Sequence, residues 1–165
     1  MQTAPIYHEQ LSSSKTTALF LVLTILFACT FVWRLLAVSM DWVAILLLVL
    51  ACFFLFYTVN YKTLGILIRK EYLILKFGVF SWRIPLSNID SFRLDDDIPW
   101  LMRNGGAGIH FMFVHGRYRA SFNFLEHPRL VISFKDKVGP IVDLSFSTGR
   151  PDKILSHLDE VIRSG

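Results

Sequence analysis

The residues with the most obvious chemical potential are three consecutive aspartates, Asp95 to Asp97, and a histidine further along the chain, His110. Carboxylate oxygens bind Ca²⁺ or Mg²⁺, and an imidazole ligates metals or transfers protons. One hypothesis is therefore a small enzyme that uses Asp95, Asp97 and His110. However, the aspartates lack the alternating spacing, the glycine and the distal glutamate of an EF-hand loop. A solvated acidic loop is the simpler interpretation.

The other groups that could complete a reactive site are poorly placed. His115 lies five residues after His110, and side chains five apart on an extended strand point to opposite faces. Both cysteines, Cys29 and Cys52, lie in apolar segments well before the aspartates. The second half of the chain offers no cysteine–histidine pair and no nucleophile elbow. We therefore expect no catalytic residues, no metal site and no cofactor.

A different group of side chains could act by binding. Ile98, Trp100, Leu101 and Met102 form an apolar patch within a loop that follows the aspartates. Two interpretations stay open for this patch. It folds back onto its own domain, or it is an exposed interaction loop that contacts lipid or a protein partner.

The surroundings of these residues depend on an apolar region in the first third of the chain. Residues 16–61 contain only two charged side chains, Arg34 and Asp41, which separate the uncharged stretches 16–33 and 42–61. Each stretch is close to the ~20 residues with which a helix crosses a bilayer. Backbone amides in hydrocarbon must be satisfied within the segment, so two transmembrane helices are predicted. The short connection predicts an antiparallel hairpin, with Asp41 as the N-cap of the second helix.

The distribution of positive charge predicts how the hairpin is oriented. Four basic residues follow the second helix, namely Lys62, Arg69, Lys70 and Lys76, whereas the turn between the helices contains one arginine. The positive-inside rule then places both termini in the cytoplasm of a multi-pass cell-membrane protein. The same four residues are predicted to contact the anionic lipid surface. The formal net charge of +4 is too small, and too dispersed, to suggest nucleic acid as a partner.

After Tyr61 the sequence changes to short β-branched and aromatic runs separated by turn residues, a pattern typical of an antiparallel β domain. Pro151 and an apolar stripe through Ile154, Leu158 and Ile162 predict a terminal amphipathic helix. The prediction is a cytoplasmic tail (1–15), a transmembrane hairpin (16–61) and a β barrel or sandwich closed by the C-terminal helix (62–165). Eight strands are predicted, near 64–68, 72–77, 81–84, 89–94, 109–114, 118–124, 130–134 and 141–146.

Within this domain, Tyr72-Leu-Ile-Leu-Lys-Phe-Gly78 and the later Arg83-Ile-Pro-Leu-Ser-Asn-Ile89 resemble the opening of bacterial pleckstrin-homology (PH) domains. The resemblance extends to Ile162 and implies a PH-like fold, which in that family often follows paired membrane helices. The turn at Arg69-Lys70-Glu71 is too short and too lightly charged to wrap a phosphorylated inositol. Specific phosphoinositide recognition is therefore not implied.

Together these features predict a non-catalytic, membrane-anchored PH-like module that presents a cytoplasmic surface for protein–protein interaction. The expected partners are membrane lipids and a membrane or cytoplasmic protein, with a homo-oligomer as one arrangement. Two alternatives stay open. One is a sensor of anionic lipid or of a lipid ligand, and the other is a small membrane enzyme built on Asp95, Asp97 and His110.

Overall fold

The computed structural model describes residues 5–95 and 107–164, and this part of the chain forms nine strands, three helices and one 3₁₀ turn. The N-terminal half contains β1 (Tyr7–Ser12), α1 (Ser14–Ala37), α2 (Trp42–Asn60), β2 (Thr63–Ile68), β3 (Tyr72–Phe77) and β4 (Phe80–Pro85). The 3₁₀ turn (Leu86–Asn88) leads to β5 (Ile89–Leu94), β6 (Gly108–Val114), β7 (Arg117–Asn123), β8 (Arg129–Val138), β9 (Ile141–Ser147) and α3 (Pro151–Ser164). The eight predicted strands correspond to β2 through β9.

Helices α1 and α2 are long and apolar enough to span a membrane, and they form the predicted antiparallel hairpin. The rings of Phe27 and Phe54 stack between them, with 5.4 Å between centroids and 4° between planes. The predicted N-cap is confirmed, because the backbone N–H of Ala44 donates to Oδ1 of Asp41 over 2.8 Å. Asp41 also pairs with Arg34 across the turn between the helices.

The N-terminal segment differs from the expected tail. Residues 7–12 form β1, which pairs antiparallel with β2 and places Ser12 opposite Thr63. Glu9 on β1 accepts hydrogen bonds from Oγ1 of Thr148 (2.7 Å) and from the backbone N–H of Gly149 (3.0 Å). The helical hairpin is therefore inserted between two neighbouring strands of one sheet, and the β domain extends on both sides of it in sequence.

The strands form two sheets and no closed barrel in the described part of the chain. One sheet has the order β1-β2-β3-β4 and is antiparallel throughout. The other has the order β5-β8-β9-β7-β6, and in it β7 and β9 run parallel. The expected antiparallel domain is corrected at this pair. The chain reaches β9 from β7 through β8, and this crossover brings β9 back alongside β7 in the same direction.

The two sheets share one hydrophobic core. Phe77 of the first sheet contacts Phe122 on β7 and Phe124 directly after β7, with 6.3 Å and 5.1 Å between ring centroids. Helix α3 covers this core through Ile154 and Leu158, both fully buried. Burial of each such side chain contributes about 1.5–3 kcal/mol relative to exposure, so α3 is part of the stable domain.

Candidate functional site

The start of α1 is hydrogen-bonded to the β domain. Oε1 of Glu126, in the connection between β7 and β8, accepts from the Oγ of Ser13 (2.7 Å) and from the backbone N–H of Lys15 (2.8 Å). Ser13 is itself the N-cap of α1 and accepts from the N–H of Thr16. The Lys15 N–H and then the Ser13 hydroxyl lower the pKa of Glu126, since both stabilise its anionic form. A carboxylate here also complements the positive end of the helix dipole.

The end of α2 is fixed by aromatic packing. Tyr61, which is 3% exposed, lies between Tyr57 and Phe77, with ring centroids 4.4 Å and 4.7 Å away. Gly78, in the turn between β3 and β4, has a φ of +59°, and a Cβ there would collide with the carbonyl oxygen of Asn60. Glycine lets this turn press against the last turn of the helix. Both helices thus make direct contacts with the β domain at their ends.

Two exposed apolar residues follow Gly78, namely Val79 in the same turn and Phe80 at the start of β4. Val79 is 70% exposed and Phe80 is 45% exposed. Because Gly78 packs against Asn60, both side chains lie close to the C-terminal end of α2. This end of the first sheet, next to α2, is called the helix-proximal end below.

The four predicted lipid-contacting residues divide into two groups. Lys62 immediately precedes β2, and Lys76 lies opposite Gly65 near the start of β2, so both are at the helix-proximal end. Arg69 and Lys70 form the turn between β2 and β3, at the other end of these strands. Six strand residues separate the two ends, a distance of about 20 Å along the strand. The structure therefore places Lys62 and Lys76 at one end of these strands and Arg69 and Lys70 at the other.

A cavity of about 400 Å³ opens between β4, β6 and the end of α2. Its lining is mainly aromatic and aliphatic and includes Tyr57, Tyr61, Phe80, Trp82, Ile109 and Phe111. Trp82 and Phe122, which also lines the cavity, lie with 5.9 Å between their ring centroids. This volume lies within the range of roughly 300–1,000 Å³ that is typical of ligand pockets.

Strand β6 is an edge strand with an unusual composition. Among the described residues it pairs only with β7, which leaves one side of its backbone without a neighbouring strand. Its seven residues, Gly108–Val114, include no proline and none of Lys, Arg, Asp or Glu. Phe111 and Phe113 are 57% and 67% exposed, and both rings contact Tyr118 on β7.

The other three edge strands carry features that discourage pairing with a further strand. Charged side chains, proline and bulges are the usual devices at such edges. Strand β1 carries Glu9, and β4 carries Arg83 and Pro85. Strand β5 carries Asp90 and Arg93 and has a register shift near its start. Only β6 lacks all of these features among the edges in the described part of the chain.

A buried polar cluster lies on the five-stranded sheet. Nη1 of Arg119 is 2.9 Å from Oδ1 of Asp95, and its Nη2 is 3.9 Å from Oδ2 of Asp143. Asp143 also accepts two hydrogen bonds from Arg117, over 2.9 Å and 2.8 Å, and one from Ser133 over 2.8 Å. The side chains of Arg119, Asp95 and Asp143 are each at most 3% exposed.

Two opposing effects act on the pKa of Asp143. Burial, the largest single effect, raises it, but the hydrogen bonds from Arg117 and Ser133 and the charges of Arg117 and Arg119 together lower it below its ordinary value. Asp143 is therefore anionic at neutral pH and paired with two guanidinium groups. A carboxylate held in this way is a poor general base, and the cluster is suited to holding β7, β8 and β9 together.

The residues of the enzyme hypothesis are not brought together. Asp95 is paired with Arg119, whereas His110 lies on β6, the opposite edge of the sheet from β5. Burial, and then the nearby charge of Arg129, lower the pKa of His110. Asp97 lies outside the described residues. Within residues 5–95 and 107–164, no group of three or more histidine, cysteine, aspartate or glutamate side chains could hold a metal ion.

The predicted interaction loop, comprising Ile98, Trp100, Leu101 and Met102, also lies outside the described residues. The residues that sequence reasoning missed are the partners of Asp95 in the buried cluster, above all Arg119 and Asp143. A signal for them exists on β7, where Arg117, Arg119, Ser121 and Asn123 alternate with apolar residues. Such alternation marks one polar face of a strand but does not reveal that this face is buried.

Comparison with known proteins adds no family: no family model matches the chain, and neither a curated protein nor a solved structure matches it.

Proposed function

We propose that the chain is a non-catalytic module that is anchored in the cell membrane by α1 and α2 and binds another protein through the edge strand β6. The observation that carries the proposal is the uncharged β6 edge with Phe111 and Phe113 exposed. An extended segment of a partner can add to such an edge. Backbone hydrogen bonds then supply affinity, and contacts with alternate side chains supply specificity.

The anchoring part of the proposal rests on the hairpin. Large apolar side chains face outward along both helices, among them Leu26, Leu46 and Val49, each more than half exposed. Contact of this apolar surface with water costs free energy, and contact with lipid tails avoids that cost. The start of α1 and the end of α2 both join the first sheet, which supports termini on the same side of the membrane as the β domain. The basic residues after α2 favour the cytoplasm for that side.

The β domain itself is the PH-like part of the proposal. Its strands are followed by a single C-terminal helix, α3, in the order that the sequence resemblance implies. Three edges carry charge, proline or a bulge, while β6 carries none of them. This contrast between the edges in the described part of the chain supports the proposal that β6 pairs with a partner.

The test compares two lysine substitutions in the full chain, purified from cells in mild detergent. Phe113→Lys places on β6 the kind of charge that the other edges carry. Val138→Lys is the matched control, because Val138 is also an exposed apolar residue but lies at the end of β8. We expect one protein to co-purify with the wild type and with Val138→Lys, and to be lost with Phe113→Lys.

A photoreactive amino acid at position 113 should crosslink that same protein in intact cells. A crosslinked product at twice the mass of the chain would identify a second copy as the partner. Identical co-purifying proteins for all three forms, at equal melting temperatures, would contradict β6 as the binding edge.

A further inference from the structure

We propose that the cavity between β4, β6 and α2 binds one acyl chain of an anionic membrane phospholipid. This inference rests on the proposed membrane anchoring but not on the proposed role of β6 in binding a protein.

The first step concerns the level of the cavity. Tyr57 lies in the last turn of α2 and Tyr61 is its C-cap, and both line the cavity. Helix α2 has 19 residues and is about 28 Å long, close to the ~30 Å thickness of the hydrocarbon core. A helix of this length that spans the bilayer places its last turn where acyl chains meet the glycerol and headgroup region. The cavity therefore opens beside the lipid.

The second step concerns what the walls can bind. The described lining consists of aromatic and aliphatic side chains together with one serine, Ser81, and none of these lining residues is charged. Phe80 is 45% exposed beside the cavity, and Val79 in the adjoining turn is 70% exposed. Apolar surface exposed at this level gains free energy when hydrocarbon covers it. An acyl chain suits these walls better than a polar metabolite does.

The third step concerns charge beside the cavity. Lys62 directly follows Tyr61, and Lys76 is the cross-strand partner of Ser81, so both lysines adjoin lining residues. Both lysine side chains are exposed. Both lysines lie at the helix-proximal end of the first sheet, so the headgroup of a lipid whose acyl chain enters the cavity would lie at the level of their ammonium groups. This arrangement favours an anionic phospholipid over a zwitterionic one.

The experiment uses the full chain reconstituted in phosphatidylglycerol vesicles that contain a phosphatidylglycerol with a photoreactive group in one acyl chain. Crosslinked residues are mapped by mass spectrometry. We expect crosslinks at Trp82 and Phe122, which lie inside the β domain, in addition to crosslinks at lipid-facing residues such as Leu46 and Val49.

Ile109→Trp fills the cavity and should remove the crosslinks at Trp82 and Phe122 while those at Leu46 and Val49 remain. The smaller substitution Ile109→Phe should reduce them in part, and it keeps the test valid if the larger side chain disturbs folding. Wild-type crosslinks confined to α1 and α2, or crosslinks at Trp82 that persist unchanged in both variants, would overturn the acyl-chain site. If no crosslinks form at Leu46 and Val49 either, the result would instead contradict the membrane anchoring.

The headgroup preference is tested by repeating the reaction in phosphatidylcholine vesicles with the matching photoreactive phosphatidylcholine. In the double variant Lys62→Gln with Lys76→Gln, the excess of cavity crosslinks in phosphatidylglycerol over phosphatidylcholine should fall roughly fivefold for each lysine removed. Arg69→Gln with Lys70→Gln is the control, because these residues lie at the far end of β2 and β3. An equal fall in both double variants, or in neither, would contradict the anionic preference.

Discussion

Arg119 and Asp95 form an ion pair that is almost fully removed from solvent, with 2.9 Å between Nη1 and Oδ1 and side-chain exposures of 2% and 1%. Their strands are not neighbours, because β8 and β9 lie between β5 and β7 in the sheet. The pair therefore connects the end of β5 to the middle of β7 across the polar face. A buried ion pair of this kind contributes stability only while both partners are present.

We expect Arg119→Met to lower the free energy of unfolding by about 3–5 kcal/mol, because it leaves the buried Asp95 carboxylate without its cation. Ser121→Ala is the control on the same strand. The Ser121 Oγ is buried and has no hydrogen-bond partner among the described residues, so its removal should be neutral or stabilising. Unfolding of the full chain in one detergent measures both. Equal stability of the two variants would show that the ion pair does not support the fold.

A second prediction concerns the pH dependence of stability through His110. Its pKa is lowered in the folded state, by burial first and then by the charge of Arg129. Below the ordinary histidine pKa of about 6.5, the unfolded chain therefore binds a proton that the folded chain does not. The stability associated with neutral His110 is present above pH 6.5 and is lost as the pH falls from there towards the folded pKa.

His110→Gln should therefore make the melting temperature less dependent on pH between 7 and 5. His115→Asn is the matched control: His115 is exposed in the turn between β6 and β7, has a φ of +50° that asparagine tolerates, and its replacement leaves His110 in place. The melting temperature of each full-length variant, measured across this pH range, decides the outcome. An unchanged slope in His110→Gln would exclude this histidine as the cause.

The third prediction concerns β1. Because Ser12 and Thr63 are paired, an Asn-Gly turn can replace the helical hairpin and connect residues 5–12 directly to residues 63–165. We expect this chain to fold in water with a cooperative transition. A fragment of residues 62–165 lacks β1 and with it Tyr7 and Leu11, which are 8% and 5% exposed.

The fragment should be several kcal/mol less stable than the connected chain, since burial of each such side chain contributes about 1.5–3 kcal/mol. Urea unfolding followed by circular dichroism compares the two. Equal midpoints would show that β1 is dispensable to the fold.

The N-terminal strand shows why local sequence patterns predicted only part of this fold. Strands β2 to β9 were predictable because each is a short run rich in β-branched, aliphatic or aromatic residues next to recognisable turn residues. Strand β1 buries only Tyr7 and Leu11, and its partner β2 follows after the entire hairpin. A short polar segment with a distant partner resembles a tail until the pairing is known.

The order of the second sheet and the buried cluster depend on the same kind of non-local information. The parallel pairing of β7 with β9 follows from the path through β8, which no local pattern specifies. Asp95 could be recognised in the sequence as a candidate for metal binding. Its partner Arg119, however, is 24 positions later. The sequence indicates which residues are polar, and only the tertiary pairing decides whether they react, bind or stabilise.

The last prediction concerns the orientation of the hairpin in the membrane. Trp33 and Trp42 flank the turn and are 66% and 86% exposed, as expected of aromatic residues at a membrane interface. The turn should therefore emerge on the side opposite the β domain, outside the cell. We test this in a variant with Cys29 and Cys52 replaced by alanine, so that one introduced cysteine reports each site.

Ser39→Cys, in the exposed turn, should react with a membrane-impermeant thiol reagent in intact cells. Ser156→Cys, on the exposed face of α3, should react only after the cells are lysed, because α3 belongs to the same β domain that both helix ends join. The reverse pattern would place the β domain outside. The basic residues after α2 favour the cytoplasmic side, since positively charged flanks are retained there during insertion. Labelling at Ser39 before lysis and at Ser156 only after it would therefore support both the anchoring and its direction.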